Sequence, residues 1–310
     1  MEKTRAKTTR NSLILLLTAT IWGMAFVSQS KGMDYMHPFT FNGVRSLIGA
    51  AGILMYILIS RKIAGDKAAK LDWKLNAKAG LLCGIFLTIA STLQQFGIKY
   101  TSVGKAGFIT TLYIIFVPMF GIFLKKKVAP VVWAAAGMAA VGMYLLCMTE
   151  SLRLGAGDVM VFLCAIAFAI QIMTVDHYAA SIDGAVVSCI QFTVCGVVCC
   201  IGALIWGQPT FGQIQEGLGA LLYAGVLSCG VGYTLQIVGQ KGLNPTVAAL
   251  IMSLESVIAT ISGWIAYKIG FLSTDQTLTP RQIAGCVIVF AAVILVQLPP
   301  EWFRFGKKNA

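Results

Sequence analysis

The sequence predicts an all-α membrane protein of ten transmembrane helices built as two inverted five-helix repeats. Three observations predict it. Of 310 residues, 57% are hydrophobic and 12% charged, with a mean hydropathy of +0.80. A soluble domain carries about 25% charged residues, and a water-soluble fold of this length could not hide so much apolar surface. Next, the apolar residues fall into ten runs of 19 to 24 residues: 12–31, 38–60, 79–98, 105–124, 129–148, 157–177, 183–206, 217–239, 245–268 and 280–298. About 20 apolar residues cross a bilayer core. Finally, features of the first half recur in the second at a nearly constant offset. The composition excludes a soluble enzyme, a large extramembrane domain and a nucleic-acid partner, despite a net charge of +12 and a pI near 9.4.

Only helices and closed barrels satisfy every backbone N–H and C=O in lipid, and runs this continuous lack the alternation of a barrel strand. The first run has a basic flank like a signal peptide, but no small-residue cleavage site follows, so it is expected to remain. Orientation follows from the Lys and Arg residues. With a cytoplasmic N-terminus, seventeen lie inside and six outside, Arg45 being within a span. The inside set is Lys3, Arg5, Lys7 and Arg10, then Arg61, Lys62, Lys67, Lys70, Lys74 and Lys78, then Lys125, Lys126 and Lys127, and finally Lys241, Arg304, Lys307 and Lys308. Lys31, Lys99, Lys105, Arg153, Lys268 and Arg281 lie outside. The bias is strong in the first half and weak in the second. A multi-pass protein of the cytoplasmic membrane with both termini cytoplasmic is expected.

Trp22-Gly23 and Pro38 through Arg45 align with Phe168-Ala169 and Gly184 through Gln191 at an offset of 146. Gly84 and Gln95 align with Gly225 and Gln236 at 141, and Thr111-Leu112-Tyr113 with Ser253-Leu254-Glu255 at 142. Residues 1–150 and 151–310 are therefore expected to be two copies of a five-span unit. Five is odd, so the second copy enters the membrane from the opposite face. Inverted repeats give secondary transporters two pseudo-symmetric states around a midplane site.

Trp22-Gly23, Arg45, the stretch Thr101 to Pro118 (TSVGKAGFITTLYIIFVP), Gly157-Asp158 and the SLES segment Ser253 to Ser256 resemble, in order and spacing, the drug/metabolite transporter superfamily, EamA-like branch. The resemblance covers nearly the whole chain. Two positions depart from it: Ser256 stands where proline is usual and Phe168 where tryptophan is common. The resemblance implies a transporter with both ends cytoplasmic and a central cavity lined by both halves. Its members move amino acids, other metabolites, nucleotide-linked sugars and drugs, so it leaves the substrate open.

Polar side chains in hydrocarbon are costly and therefore informative. Thr88, Ser91, Thr92 and Gln95 share one face of the third span, and Cys229, Tyr233, Gln236 and Gln240 repeat the arrangement in the eighth. Gln95 and Gln236, as repeat partners, are expected to face the centre. Thr18, Trp22 and Gln29, Thr110 and Tyr113, Gln171 and Thr174, and Ser253, Ser256 and Thr260 are offered by other spans. Hydroxyls also glue helices together, which suits Thr18, Ser91 and Thr260. The predicted substrate-binding set is Trp22, Gln95, Thr110, Tyr113, Gln171, Tyr233, Gln236 and Ser253. Trp22 lies about 15 Å into its span, too deep for the interfacial belt. Trp133, Trp206 and Trp302 sit nearer span ends and read as interface anchors.

Arg45 and Glu255 are the two full charges well inside spans. Burial disfavours the charged form of a lone carboxylate, which makes Glu255 either a proton carrier or a structural charge, paired with Arg45 or bonded to backbone near a kink. Asp158, Asp176 and Glu216 read as solvated span ends. Pro118, Gly230 and Gly232 are the expected hinges. The nine cysteines fall inside apolar runs and read as small packing residues. No HExxH or GxSxG pattern is present and the two histidines, His37 and His177, lie at span ends, so no enzyme is expected. The expected activity is secondary transport of a small organic metabolite, an amino acid or similar, by alternating access around a midplane cavity, with export the preferred direction. An uncoupled facilitator, a multidrug exporter or a non-transporting receptor or scaffold are the alternatives. No cofactor or metal is expected. The expected partners are the small-molecule substrate and membrane lipid, the latter at the loop 61–78, and small residues on the helices are compatible with a homodimer.

Overall fold

The computed structural model describes residues 2–65, 71–124, 130–147, 155–273 and 275–297, and every regular element among them is a helix. In chain order these are α1 (Glu2–Gly32), α2 (Pro38–Ala64), α3 (Trp73–Ile98), α4 (Val103–Thr111), α5 (Tyr113–Phe123), α6 (Pro130–Cys147), α7 (Ala156–Tyr178) and α8 (Gly184–Gly202). Then follow α9 (Phe211–Glu216), α10 (Leu218–Leu222), α11 (Tyr233–Gln240), α12 (Pro245–Met252), α13 (Leu254–Lys268) and α14 (Pro280–Gln297). Wider π-helical turns extend α8 over Ala203–Gly207 and join α10 to α11 over Tyr223–Gly232. Among the described residues, eight helical stretches are long and apolar enough to cross a membrane, and shorter apolar stretches, Pro130–Gly142 and Pro280–Leu295, lie in α6 and α14. Each apolar run read from the sequence overlaps one of these stretches.

The helix starts are set by local chemistry. Pro38 and Pro245 occupy first turns, where a missing N–H costs nothing. Asp72 accepts from the Leu75 amide at 3.0 Å, Asp183 from Ala185 and Val186 at 3.0 and 3.2 Å, and Asn244 from Thr246 at 2.9 Å. Each satisfies a donor that the first turn leaves open.

Two spans are interrupted alike. Leu112 (φ −58°, ψ −10°) separates α4 from α5, and Ser253 (φ −62°, ψ −15°) separates α12 from α13. A ψ this close to zero tightens the turn toward 3₁₀ geometry. Around Ser253 the hydroxyls contribute: Ser253 Oγ donates to the Leu250 carbonyl at 2.7 Å and Ser256 Oγ to Ser253 at 2.8 Å, a back-bonding that bends helices. Of the expected hinges, Pro118 lies inside α5 and the interruption falls earlier in the chain, while Gly230 and Gly232 both lie in the π-helical stretch.

In the bundle α2 packs along α8, α3 along α7 and α8, α1 along α11 and α13, and α6 along α14. The core between them holds Leu15, Leu87, Ile114, Phe192 and Leu250, each buried. The perimeter exposes Leu54, Met55, Leu58, Phe162, Val198 and Leu204, as helices bathed in lipid would. Close approach is allowed at Gly225, where an added Cβ would lie 2.8 Å from Ile48 Cβ and 2.9 Å from the Arg45 carbonyl oxygen. At Gly232 it would lie 2.6 Å from Trp22 Nε1.

Asp158 does not behave as a solvated span end. It is buried, and accepts from Lys105 Nζ at 2.6 Å, Thr101 Oγ1 at 2.9 Å and the Gly155 amide at 2.9 Å. Those three partners offset the cost of taking its charge out of water. Trp206 stacks on Phe39 with centroids 5.5 Å apart near a span end. Lys67, Lys70, Lys125, Lys126, Lys127, Arg153, Trp302, Arg304, Lys307 and Lys308, and the side chains of Lys3, Arg5, Lys7 and Cys147, lie outside the described residues.

The start of α2 is expected to be pH-sensitive. His37 Nδ1 accepts from the Phe39 amide at 3.3 Å, and burial, followed by the nearby Lys99 charge, lowers the His37 pKa from its ordinary 6.5. The folded state therefore binds the proton less well than the frayed state, so the cap holds above pH 6.5 and is lost as pH falls through the lowered value. Hydrogen exchange at residues 39–41 should speed up beyond intrinsic pH effects as the pH falls below 6.5. His37→Asn, which caps without titrating, should abolish that change.

Candidate functional site

A cavity sits at the middle of the bundle, and its walls come from both halves of the chain. From the first half, α1 contributes Trp22, Phe26 and Gln29, α2 Arg45 and Ser46, and α3 Leu87, Ser91 and Gln94, with Thr110 of α4 and Tyr113 of α5. The second half supplies Phe168, Gln171 and Ile172 of α7, Phe192 of α8, Ser228 and Cys229 of the π-helical stretch, Tyr233 and Gln236 of α11, and Glu255 of α13. The space that a water centre can occupy is ≈ 30 Å³, enough for a water or two.

One wall is aromatic. Trp22 and Tyr233 have centroids 4.5 Å apart, and Phe192 meets Tyr233 edge-on at 5.0 Å. The other walls are polar. Tyr113 donates its hydroxyl to Glu255 Oε1 at 3.0 Å. Gln236 Nε2 donates to Gln171 Oε1 at 3.2 Å, and Gln94 Nε2 to Thr110 Oγ1 at 3.2 Å. Ser46 and Ser91 reach the Cys195 sulfur at 3.5 and 3.4 Å.

Arg45 and Glu255 share the cavity without forming an ion pair with each other. The ion pairs among the described residues are Lys31–Asp34 and Lys105–Asp158. Arg45 instead lays its guanidinium 5.4 Å from the Phe41 ring centroid, a contact worth about 0.5–2 kcal/mol. Arg45 Nε, Trp22 Nε1, Gln29 Oε1 and Gln236 Oε1 are buried without a hydrogen-bond partner in the protein. An unmet buried polar atom costs about 1–3 kcal/mol, and these four line a cavity with room for a water or a polar ligand group to meet them.

Of the residues expected from the sequence, Trp22, Thr110, Tyr113, Gln171, Tyr233, Gln236, Arg45 and Glu255 are brought together here. Two are not. Gln95 is buried beside the cavity, but its Nε2 donates to the Gln29 carbonyl at 3.1 Å. Ser253 spends its hydroxyl on its own helix. The α3 face that lines the cavity is Leu87, Ser91 and Gln94, one residue round from the face expected. Thr88 instead bonds back to Gly84 at 2.6 Å, and Thr92 meets Cys199 at 3.5 Å. Gln94 was the member hidden by its neighbour Gln95, although the i, i+3 relation of Ser91 to Gln94 signals it.

The EamA-like transporter family profile matches the chain twice, over residues 10–148 and 155–298. An uncharacterized transporter of Archaeoglobus fulgidus is 27% identical over 92% of this chain and 84% of its own. The uncharacterized transporter YwfM of Bacillus subtilis is 25% identical over 94% of each chain. A solved crystal structure, 15% identical, shares the fold with a TM-score of 0.73 over 96% of this chain and 99% of that one. With a family match spanning both halves and a bundle of apolar helices around a polar centre, the chain belongs to the EamA-like transporter family, within the drug/metabolite transporter superfamily.

Proposed function

We propose that the protein is a secondary transporter of ten spans in two inverted repeats, moving a small zwitterionic metabolite, an amino acid or similar, by alternating access. The observation that carries this reading is that Arg45 and Glu255 line one central cavity without pairing with each other. A carboxylate on the solute suits Arg45, and an ammonium suits Glu255. A lone cationic or anionic solute would leave the other charge buried and unpaired, the costlier arrangement. The aromatic wall of Trp22 and Tyr233 suits the solute's carbon body.

Packing supports the repeat. If each span is exchanged with the one five places along, the neighbours map onto one another. The first span lies on the eighth and ninth as the sixth lies on the third and fourth. The second meets the seventh, and the fifth meets the tenth, each pair mapping onto itself. Tyr113 and Glu255, aligned at an offset of 142 in sequence, touch through a hydrogen bond at the centre. A cavity of ≈ 30 Å³ is smaller than any amino acid, so entry requires the walls to part. The interruptions at Leu112 and Ser253 and the π-helical stretch supply the bends. Both termini are assigned to the cytoplasmic side of the cytoplasmic membrane on the charge bias, and export is the assigned direction.

Proteoliposomes loaded with labelled amino acids and other metabolites, with and without a pH gradient, test the proposal and read the direction. Glu255→Gln keeps an acceptor for the Tyr113 hydroxyl but removes the charge. It is expected to lower transport about tenfold or more while leaving any response to the gradient intact. Loss of the gradient response with transport otherwise retained would make Glu255 the proton carrier instead. No flux with any solute would remove the transporter reading.

A further inference from the structure

A second cavity, of ≈ 340 Å³, lies away from the centre, where the end of α2 meets the start of α8 and the end of α11. The residues that matter in it are Tyr56, Ser60, Arg61, Asp183 and Thr234. We propose that it seats the phosphoethanolamine headgroup of a membrane phospholipid.

The charges select the headgroup. Arg61 and Asp183 both line the groove, and neither forms an ion pair among the described residues. A purely anionic headgroup would meet Asp183, and a cationic one Arg61. A headgroup carrying a phosphate and an amine satisfies both, with the phosphate on the planar guanidinium. The hydroxyls then select the kind of amine. Ser60 Oγ gives its proton to the Ile57 carbonyl at 3.1 Å and Thr234 Oγ1 to Gly230 at 2.7 Å. Both therefore present only lone pairs to the groove. Asp183 Oδ1 is held by the Ala185 and Val186 amides, and its other oxygen also accepts. Apart from Arg61 and the Tyr56 hydroxyl, the polar side chains that line the groove are thus acceptors, which a primary ammonium with three N–H donors satisfies and a trimethylated choline does not. The surroundings select a lipid over a free solute. Tyr56, Ile57 and Val238 line the groove, and Tyr56 and Val238 are exposed, an apolar wall along which acyl chains would run.

The test is native mass spectrometry of the purified full chain in detergent, with phosphatidylethanolamine, phosphatidylcholine or phosphatidylglycerol of matched acyl chains added at equal concentration. Phosphatidylethanolamine should be retained about tenfold better than either. Asp183→Asn keeps the α8 cap, since Asn caps as well as Asp, and should erase the preference over phosphatidylcholine. Arg61→Met keeps the apolar stem and should lower retention of both. Equal retention of the three lipids by the native chain, or a preference that survives Asp183→Asn, would overturn the proposal. Displacement of bound lipid by soluble phosphoethanolamine at the same concentration would do so too, by making the groove a solute site.

Discussion

Arg45→Met is expected to make the protein more heat-stable and unable to transport. Arg45 is 5% exposed, lacks an acidic partner and leaves its Nε unmet. Desolvating a charge costs several kcal/mol, against about 0.5–2 kcal/mol returned by the ring of Phe41. Methionine fills a similar volume without the desolvation, so stability in detergent should rise by about 1–3 kcal/mol. The solute's carboxylate would lose a charge-assisted partner worth about 2–3 kcal/mol, which lowers transport roughly 30- to 150-fold. Thermal unfolding and proteoliposome flux on the same preparation read both effects. A destabilised variant that still transports would make Arg45 a structural residue and would falsify its role in the site. The opposing signs matter, because a general packing defect moves both quantities down together.

Gly225→Leu should prevent assembly of the bundle. Even the first carbon of a side chain there would stand 2.8 Å from Ile48 Cβ and 2.9 Å from the Arg45 carbonyl oxygen. Neither atom is the free end of a flexible chain, so relief requires α2 to move as a whole. Overpacking costs about 1–3 kcal/mol even for added methylenes that rotamers can absorb, and here it should exceed about 3 kcal/mol because backbone is involved. Size-exclusion chromatography should show the folded peak lost for Leu and thinned for Gly225→Ala. Gly219→Leu is the control, since an added Cβ there meets nothing within 4 Å, and it should elute like the native chain. Equal profiles for the Gly225 and Gly219 variants would mean that α2 and the π-helical stretch are not tightly joined.

Much of this architecture is legible in the chain because lipid enforces simple rules. An apolar run of sufficient length must be helical, so helix locations follow from composition alone. The centre is legible where polar residues are sparse. Trp22, Arg45, Tyr113 and Glu255 stand out against their own spans, and all four line the cavity. The reading is off where polar residues crowd, as in α3, where Thr88, Ser91, Thr92, Gln94 and Gln95 spread over about 160° of the circumference. Periodicity defines a face only to within about one residue, or 100° at 3.6 residues per turn. Which amide faces inward is decided by a neighbouring carbonyl, that of Gln29 for Gln95. Asp158 is misjudged for a related reason. A carboxylate at a span end reads as solvated, and its partners arrive from elsewhere in the chain, Thr101 from the turn before α4 and Lys105 from α4 itself. The interruptions at Leu112 and Ser253 carry no proline or glycine, so the usual breakers do not announce them.

Those two interruptions have a mechanical corollary. α5, which begins where the first ends, packs against α12, which ends where the second begins, and α4 packs against α13. In the alternating access proposed above, bending at either interruption would press on the other, so displacement on one side of the membrane would be geared to an answering displacement on the other. A single covalent staple between α5 and α12 should then stop transport altogether rather than slow it.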